Sequence, residues 1–364
     1  MDCVVTPLKT LMGFSVHLNV QLKFYNLPIS KRLQEGEISM CTSINVIAQD
    51  GYHVLGRTMD WDDLLVSPIF TPRHYQWASV FDHRVHENPY AIIGGGSITE
   101  RRTDVSDGVN EFGLMAQKLT FKNGARLVDE RHPDKVQLAA FELIFYLLGH
   151  FKSVADVAAH LYQIELMSDV NADVPFGYSE QHFVLSDPTG RCVVIEPSEH
   201  PLKLIDNPLG IMTNMPKFDH QLERLQDYLD FTPDFLNGTL APNTFHVTTG
   251  KLSGKKTPPG AYTPKGRYVR AAYMKELADQ PASKDEALAT TWHLLDSVTV
   301  PKSKAHRPTF SVYRAATVAE DRTYYFQSYH QAQVTSVKLT DDLLKRATPL
   351  VFDTADVWAP VKLN

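Results

Sequence analysis

A thiol, a guanidinium and a carboxylate occur in one segment of this sequence, at Cys41, Arg57 and Asp60, with well over ten residues between the thiol and the other two. The thiolate is the nucleophilic form of cysteine, and a nearby positive charge favours that form. These residue types could therefore form the centre of a hydrolytic site. The alternative is structural: the cysteine would be a small buried hydrophobic residue, and the arginine and aspartate would form a surface pair.

The segment that contains the three residues has the pattern of a β-hairpin. Residues 43–48 are rich in β-forming types, residues 49–51 read Gln-Asp-Gly and signal a turn, and residues 52–57 are again β-rich. Antiparallel pairing brings the end of the second strand beside the start of the first. We therefore expect the guanidinium and the carboxylate to return to the neighbourhood of the thiol.

Met40 directly precedes the cysteine. A start codon or a processing point there would leave Cys41 with a free α-amine, whose ordinary pKa of about 7.7–8.0 lies close to neutral pH. An amine of that kind can act as the base for its own side chain. We interpret residues 1–40 as an N-terminal extension that is removed or that reflects a mis-assigned start. Residues 35–37, Glu-Gly-Glu, could be encoded by a purine run of ribosome-binding type.

The first forty residues lack the features of a membrane span or a secretion signal. Residues 11–27 are the most apolar part, but His17, Asn19 and Lys23 interrupt them, so the run is too polar and too short to cross a bilayer. Residues 37–40 do not resemble a signal-peptidase site. We therefore expect a cytoplasmic protein without a membrane partner.

The composition excludes several other classes of protein. The chain has 364 residues and a formal net charge of −6, and no basic run offers a path for nucleic-acid phosphates. Its three cysteines show no paired spacing, which argues against a disulfide framework or a structural zinc site. The histidines show no ligand spacing such as His-x-x-x-His, so we expect neither a metal nor a cofactor.

The elements that must position the site alternate between strands and pairs of helices. Strands, two helices, strands, two helices and strands predict an α+β domain in which helical layers cover antiparallel sheets. We predict helices at residues 136–150, 153–164, 218–229, 267–278 and 284–296; strands at 91–97, 114–121, 182–186, 192–197, 308–319, 323–329 and 333–339; and turns or loops at 61–71, 107–113 and 231–264.

Five separated segments together resemble the choloylglycine hydrolase family, which includes penicillin V acylases and conjugated bile salt hydrolases. The resemblance covers residues 40–359. It implies a four-layer αββα sandwich of the N-terminal nucleophile hydrolase type, formed by one domain over residues 41–364. The segments are Met40-Cys41-Thr42, Gly56-Arg57-Thr58-Met59-Asp60, Asp107-Gly108-Val109-Asn110-Glu111-Phe112-Gly113-Leu114, Thr213-Asn214-Met215-Pro216 and Arg267-Tyr268-Val269-Arg270-Ala271-Ala272-Tyr273.

The resemblance also implies a role for each site residue. Cys41 would be the nucleophile, with its freed α-amine as the base and Asp60 as the carboxylate that holds this amine. Asn214 and the backbone N–H of Thr120 would stabilise the oxyanion. Two arginines would bring positive charge to the thiol and the intermediate; they are Arg57 and Arg267. The family further implies a homotetramer and a small-molecule amide substrate.

Three departures from the bile salt hydrolase pattern bear on the substrate. Thr58 stands where those enzymes usually have asparagine, Thr120 stands where they have another asparagine, and residues 257–261 replace the family's Gly-Leu-Pro-Gly-Asp segment. The sequence at residues 57–61 instead resembles the penicillin V acylase branch, although that branch often has tyrosine at position 120. We therefore expect an acylase of penicillin V type, with bile salt hydrolysis as the alternative.

The acyl group of such a substrate needs an apolar surface. Trp61, Leu65 and Phe70 could supply it, and each could equally be a core residue. A different class of function also remains open. The chain could be a non-catalytic binding homologue, or an enzyme kept inactive by its extension, because an acylated Cys41 nitrogen cannot serve as a base.

Overall fold

The computed structural model describes residues 40–100, 102–177, 179–231, 247–248, 256–303, 305–354 and 357–359. All of them belong to one compact unit, Glu35–Asn364. The expected extension over residues 1–40 therefore lies outside the described residues except for its last member. Most of the loop expected over residues 231–264 also lies outside them.

Strands are the most numerous regular elements of the described chain. They are β1 Met40–Ile47, β2 His53–Trp61, β3 Ser67–Thr71, β4 Tyr75–Ala78, β5 Val85–Asn88, β6 Ile92–Ile98, β7 Thr103–Asn110, β8 Met115–Thr120, β9 Val136–Ala139, β10 Ile164–Met167, β11 Gln181–Ser186, β12 Cys192–Ile195, β13 Leu204–Asp206, β14 Ile211–Met212, β15 Asp230–Phe231, β16 Val247–Thr248, β17 Phe310–Val318, β18 Thr323–Ser328, β19 Thr335–Lys338 and β20 Leu350–Val351.

Four of the described helices begin after a side chain that accepts a backbone hydrogen bond. Ser153, Thr263 and Ser283 each cap a helix, and their hydroxyl oxygens accept from the N–H three residues later. The helices are α1 Leu143–His150, α2 Val154–His160, α3 Phe218–Leu225, α4 Pro264–Glu276, α5 Lys284–Asp296 and α6 Asp341–Leu344, and 3₁₀ turns occur at Ala140–Glu142 and Leu161–Gln163.

Two large antiparallel sheets form the centre of the molecule. The six-stranded sheet has the order β14-β1-β2-β17-β18-β19, and the eight-stranded sheet has the order β13-β12-β11-β8-β7-β6-β3-β20. The predicted hairpin is confirmed as β1 and β2, in which Cys41 lies opposite Met59 and Ser43 lies opposite Arg57. Strand β1 is also paired with β14 on its other side.

The two sheets lie face to face, and helices cover their outer surfaces. Strands β17 and β18 contact β6 and β7 across the interface between the sheets, while α4 and α5 pack on the six-stranded sheet and α1 on the eight-stranded one. One buried cluster includes Ile44, Ile93 and Leu295, and a second lies under α1 and includes Leu143 and Phe183. The expected αββα sandwich is confirmed by this layering.

Three sequence predictions about local structure are wrong. Residues 136–139 form strand β9, which pairs with β10, and the helix begins only after Glu142. Residues 67–71 form strand β3 instead of a loop. Asp107–Asn110 lies in strand β7, because pairing with the neighbouring strands overrides its turn-rich composition.

Glycines explain why β6 and β7 can pair so closely. A Cβ atom at Gly94 would lie 2.1 Å from the carbonyl oxygen of Asp107, and one at Gly108 would lie 2.6 Å from that of Ile93. Only glycine fits at these positions. The glycine run at residues 94–96 is therefore part of strand β6, within the strand predicted over residues 91–97.

Candidate active site

Alternation along the hairpin divides the site side chains between two faces of the six-stranded sheet. Cys41 and Arg57 face the interface between the sheets, where the guanidinium reaches the eight-stranded sheet. Thr42 and Asp60 face the helical layer, where they meet Arg267 of α4. The side chains of the site therefore lie on both faces of the sheet, with the backbone of β1 between them.

Cys41 lies at the start of β1 and is almost completely buried, with 1% of its surface exposed. Its Sγ lies 3.7 Å from Met59 Sδ. Burial raises the pKa of the thiol, while the positive charge of Arg57 opposes this effect. Asp60 raises the pKa through its charge and lowers it through its backbone N–H, and Arg267 lowers it further. The two arginines therefore offset part of the cost of forming a thiolate in this buried position.

Arg57 is fully buried and holds its guanidinium between the sheets. Its Nη1 donates to the carbonyl oxygens of Ser106 at 2.8 Å and Lys118 at 3.0 Å, and lies 3.3 Å from Asp107 Oδ2. A buried charge is costly unless it is paired and hydrogen-bonded. These contacts hold the guanidinium in place beneath the thiol.

Asp60 is fully buried on the opposite face. Its Oδ1 accepts a 2.5 Å hydrogen bond from Ser311 Oγ, and its Oδ2 lies 3.8 Å from Arg267 Nη1. Burial raises the pKa of this carboxyl group, whereas Arg267, the hydroxyls of Ser311 and Thr58, and Arg57 lower it. The carboxylate is therefore held by a cation on the helical side of the sheet.

Arg267 connects the first strand to helix α4. Its Nη1 donates to the carbonyl oxygen of Cys41 at 2.6 Å and also to Thr42 Oγ1, and its Nη2 donates to Asn214 Oδ1 at 2.9 Å. Its Nε donates to the carbonyl oxygen of Tyr262 at 3.1 Å. The guanidinium thus fixes the start of β1 relative to the first turn of the helix.

Asn214 joins three parts of the site through one side-chain amide. Its Oδ1 accepts from the backbone nitrogen of Cys41 at 2.8 Å as well as from Arg267, and its Nδ2 donates to the carbonyl oxygen of Thr120 at 2.8 Å. An amide nitrogen carries two hydrogens, so Asn214 can donate the second one to a substrate oxygen. The site thus contains a thiol, two cations, a carboxylate and an amide donor, which are the kinds of group used in acyl transfer.

A bulge in β17 supplies partners to both faces. Val312 is the extra residue, so Ser311 and Tyr313 point to opposite sides of the sheet. Ser311 donates to Asp60 on the helical side, and the hydroxyl of Tyr313 donates to Asp107 Oδ2 at 2.5 Å between the sheets. Burial and the neighbouring carboxylate raise the pKa of Tyr313, so this hydroxyl keeps its proton.

The structure brings the six predicted catalytic residues into one neighbourhood, but it separates the three predicted substrate contacts. Trp61 ends β2 beside Asp60 and is partly buried, whereas the Leu65 side chain is 76% exposed in the following loop. Phe70 lies in β3, is fully buried and belongs to the core cluster between the sheets. Its environment is that of a core residue.

Sequence reasoning missed several polar residues that support the site. Asp107 was recognised only as part of a turn-rich motif, and Ser311 and Tyr313 only as members of a strand. For Ser311 and Tyr313 a signal was available, namely a polar side chain at a buried position of an alternating strand. Gln221, which contacts the segment that carries Asn214, had no such signal because it lies in a short amphipathic helix.

The described residues hold no group of three or more histidine, cysteine, aspartate or glutamate side chains that could bind a metal ion. Across the same part of the chain, every helix is too short or too polar to span a membrane.

Comparison with known proteins assigns residues 41–357 to a family described as linear amide C–N hydrolases, choloylglycine hydrolase family. The matched region begins at Cys41. A conjugated bile acid hydrolase from Lactobacillus gasseri is 29% identical over 320 residues, which cover 84% of this chain and 98% of that protein. This similarity extends over nearly the whole relative.

Solved structures share the fold. A conjugated bile acid hydrolase from Clostridium perfringens superposes with a TM-score of 0.73 at 22% identity, covering 89% of this chain and all of that one. A penicillin V acylase from Agrobacterium tumefaciens superposes with a TM-score of 0.64 at 19% identity, covering 85% of this chain and 90% of that one. Both superpositions show that this chain has the same fold as these two proteins.

Proposed function

Because this chain belongs to the choloylglycine hydrolase family of linear amide C–N hydrolases, we propose that it hydrolyses the amide bond of conjugated bile acids. The observation that carries the proposal is sequence similarity over almost the full length of a conjugated bile acid hydrolase. The likeness to penicillin V acylase is one of fold at lower identity. The expectation of a penicillin V acylase, which rested on the residues around Thr58, therefore becomes the second candidate.

The proposed reaction begins once the peptide bond before Cys41 is absent. The freed α-amine takes the thiol proton, and the sulfur attacks the amide carbonyl. The match to the family begins at Cys41, which supports this start for the active chain. Asn214 Oδ1, which lies 2.8 Å from the Cys41 nitrogen, orients the amine.

The tetrahedral intermediate carries its negative charge on the former carbonyl oxygen. In the proposed mechanism, the second Nδ2 hydrogen of Asn214 and the backbone N–H of Thr120 stabilise this oxygen. The contact of 2.8 Å between Asn214 Nδ2 and the Thr120 carbonyl oxygen supports the assignment, because it keeps the two residues adjacent. The ammonium group then returns its proton to the leaving amine, and water hydrolyses the thioester.

The charged residues have separate roles in this mechanism. Arg57 favours the thiolate from the sheet interface, and Arg267 opposes the raised pKa of the thiol from the helical side. The carboxylate of Asp60 binds the α-amine of Cys41 and balances the positive charge of the two arginines. For the apolar part of the substrate we retain Trp61 and Leu65, which have exposed surface. Phe70 is left out because it is fully buried.

The test compares two substrates with a chain that begins at Cys41. Glycocholate and penicillin V are supplied separately, and the release of glycine and of 6-aminopenicillanic acid is measured. We expect kcat/KM for glycocholate to exceed that for penicillin V by about tenfold or more, which corresponds to about 1.4 kcal/mol of transition-state stabilisation. Faster turnover of penicillin V would favour the second candidate.

Two controls make this test specific. Cys41→Ala removes the nucleophile and should abolish turnover of both substrates. A chain that retains Met40 before Cys41 has an acylated nitrogen and should also be inactive, with its intact mass verified. Turnover by the Met40-retaining chain would overturn the role of the free amine. No turnover of either substrate by the chain that begins at Cys41 would reject the proposed function.

A further inference from the structure

Gln221 places all three of its side-chain hydrogen bonds on the segment that carries Asn214. Its Oε1 accepts from Thr213 Oγ1 at 3.0 Å, and its Nε2 donates to the carbonyl oxygens of Asn214 at 2.7 Å and Pro216 at 2.8 Å. The side chain is buried, with 2% of the residue exposed. We call residues 213–216 the Asn214 turn.

The helix that carries Gln221 is itself anchored. Gln221 lies in the first turns of α3, and the first backbone N–H of that helix, at Phe218, donates to Glu196 Oε2 at 3.0 Å. Both Phe218 and Glu196 are buried. Because a carboxylate fixes the end of the helix, Gln221 can hold the Asn214 turn against a rigid support.

The Asn214 turn is also held from two other sides. His182 Nε2 lies 2.7 Å from the carbonyl oxygen of Thr213, and Thr213 Oγ1 lies 3.1 Å from the carbonyl oxygen of Pro264 in the first turn of α4. These contacts fix residue 213. Gln221 is the side chain that reaches beyond it, to the carbonyl groups of residues 214 and 216.

The position of the Asn214 backbone decides where its amide points. The side chain is engaged at 2.8–2.9 Å with Cys41, Arg267 and Thr120, so a small displacement of the turn breaks these contacts together. Donors for an oxyanion must be placed within about 0.5 Å of the productive geometry. We expect the loss of the two carbonyl contacts from Gln221 to let residues 214–216 shift by a comparable distance.

We propose that Gln221 is a positioning residue for amide hydrolysis, which holds the Asn214 turn so that the Asn214 amide can stabilise the oxyanion. This role rests on the proposed function, since it concerns the same site. It predicts that Gln221 contributes to the rate of acylation and not to the affinity for substrate. It also predicts no effect on reactions of Cys41 that form no oxyanion.

Gln327 provides a matched control in another part of the fold. It lies in β18 and is also buried, and its Nε2 likewise donates to two carbonyl oxygens, those of Gln331 and Ala332. Its Oε1 accepts from Trp292 and Arg314. Gln221→Met and Gln327→Met therefore remove the same kind of group from similar environments, but only the first touches the Asn214 turn.

The experiment uses chains that begin at Cys41 and measures three quantities. The first is kcat and KM for glycocholate. The second is the acylation of Cys41 by p-nitrophenyl acetate, followed as the burst of p-nitrophenolate. The third is alkylation by iodoacetamide, which displaces iodide without forming an oxyanion. Circular dichroism and urea unfolding verify that both variants are folded at the assay temperature.

Gln221→Met should lower kcat and the acylation rate by about tenfold to a hundredfold, because a displacement near 1 Å can cost that much. KM should stay within about threefold of the parent value, and the alkylation rate should not change. Gln327→Met should lose a similar free energy of unfolding but retain the parent kcat. This combination distinguishes positioning from general stability.

Several results would overturn the proposal. One is a folded Gln221→Met variant with the parent acylation rate, and another is an equal loss of kcat in both variants. A loss confined to KM, or an equal slowing of alkylation, would also contradict it. If the parent chain hydrolyses no bile acid amide, the proposed function fails, and the acylation and alkylation rates still decide the role of Gln221.

Discussion

Arg57 and Asp107 form an ion pair across the interface of the two large sheets, with 3.3 Å between Nη1 and Oδ2. Neither side chain is exposed. The arginine belongs to β2 of one sheet and the aspartate to β7 of the other. The pair therefore connects the hairpin that carries Cys41 to the facing sheet.

Asp107→Asn should be strongly destabilising. The substitution leaves the Arg57 guanidinium buried without its carboxylate, and breaking a buried pair in this way typically costs about 3–5 kcal/mol. Urea denaturation should show a lower midpoint with an unchanged slope, which is the sign of lost stability without a change in the surface exposed on unfolding.

The matched control for this prediction is the exposed pair of Glu199 and Lys203, whose atoms lie 2.9 Å apart. Glu199→Gln should leave the denaturation midpoint unchanged within error, because solvent screens such pairs. Equal midpoints for the Asp107→Asn variant and the parent chain would show that the buried pair does not hold the sheets together.

Asn214→Ala should lower kcat for amide hydrolysis by about 10²–10³-fold, the typical cost of removing one oxyanion donor. The variant also loses the acceptor for the Cys41 nitrogen, so the nucleophile is less well oriented. Steady-state kinetics of the chain that begins at Cys41 measures the effect. Asn171→Ala, at an exposed surface position, should retain parent activity. An Asn214→Ala enzyme with near-parent kcat would remove this residue from the mechanism.

Glu142 should make stability depend on pH in the acidic range. Burial raises the pKa of its carboxyl group from 4.5 to about 7, although hydrogen bonds from Val80, Ala139 and Ser79 oppose the shift. The folded protein then holds this proton more tightly than the unfolded chain. The contribution of this group to the free energy of unfolding should therefore fall as pH rises from 4.5 to about 7, by at most about 1.4 kcal/mol per pH unit.

Urea unfolding at several pH values in this window isolates the contribution of Glu142. Glu142→Gln cannot titrate, so the difference in unfolding free energy between parent and variant should decrease steadily as pH rises. The variant is expected to be less stable overall, because its amide nitrogen would replace a carboxyl oxygen that accepts a backbone N–H hydrogen bond here. A difference that does not change with pH would contradict the raised pKa.

Local sequence patterns were sufficient to predict the hairpin and the capped helices. Alternation and a turn signal define β1 and β2, and a serine before an apolar run marks the start of α2. The same reasoning failed at residues 136–139, because the apolar positions of so short a segment fit both the helical period and the strand period. Pairing with β10, which is distant in sequence, decided between them.

The site was predictable where it is carried by motifs, and not where it depends on contacts between layers. Cys41, Arg57 and Asp60 follow from one hairpin, whereas the partners Asp107 and Tyr313 depend on how the two sheets face each other. Phe70 is a residue that the sequence wrongly assigned to the site for the same reason. Its closeness to the site residues in sequence suggested a substrate contact, but the side chain of Phe70 is buried in the core.

The bulge at Val312 has a consequence for how this site can vary. A regular strand would present Ser311 and Tyr313 on the same face, so it could support either the carboxylate of Asp60 or that of Asp107, but not both. With Val312 in place, the bulge lets a single strand serve both. Deletion of Val312 would make Ser311 and Tyr313 adjacent in a regular strand, still opposite Asp60 and Met59, where alternation keeps them on opposite faces. The strand can therefore lose Val312 and keep both partners, whereas straightening it with Val312 in place would remove the partner of one carboxylate.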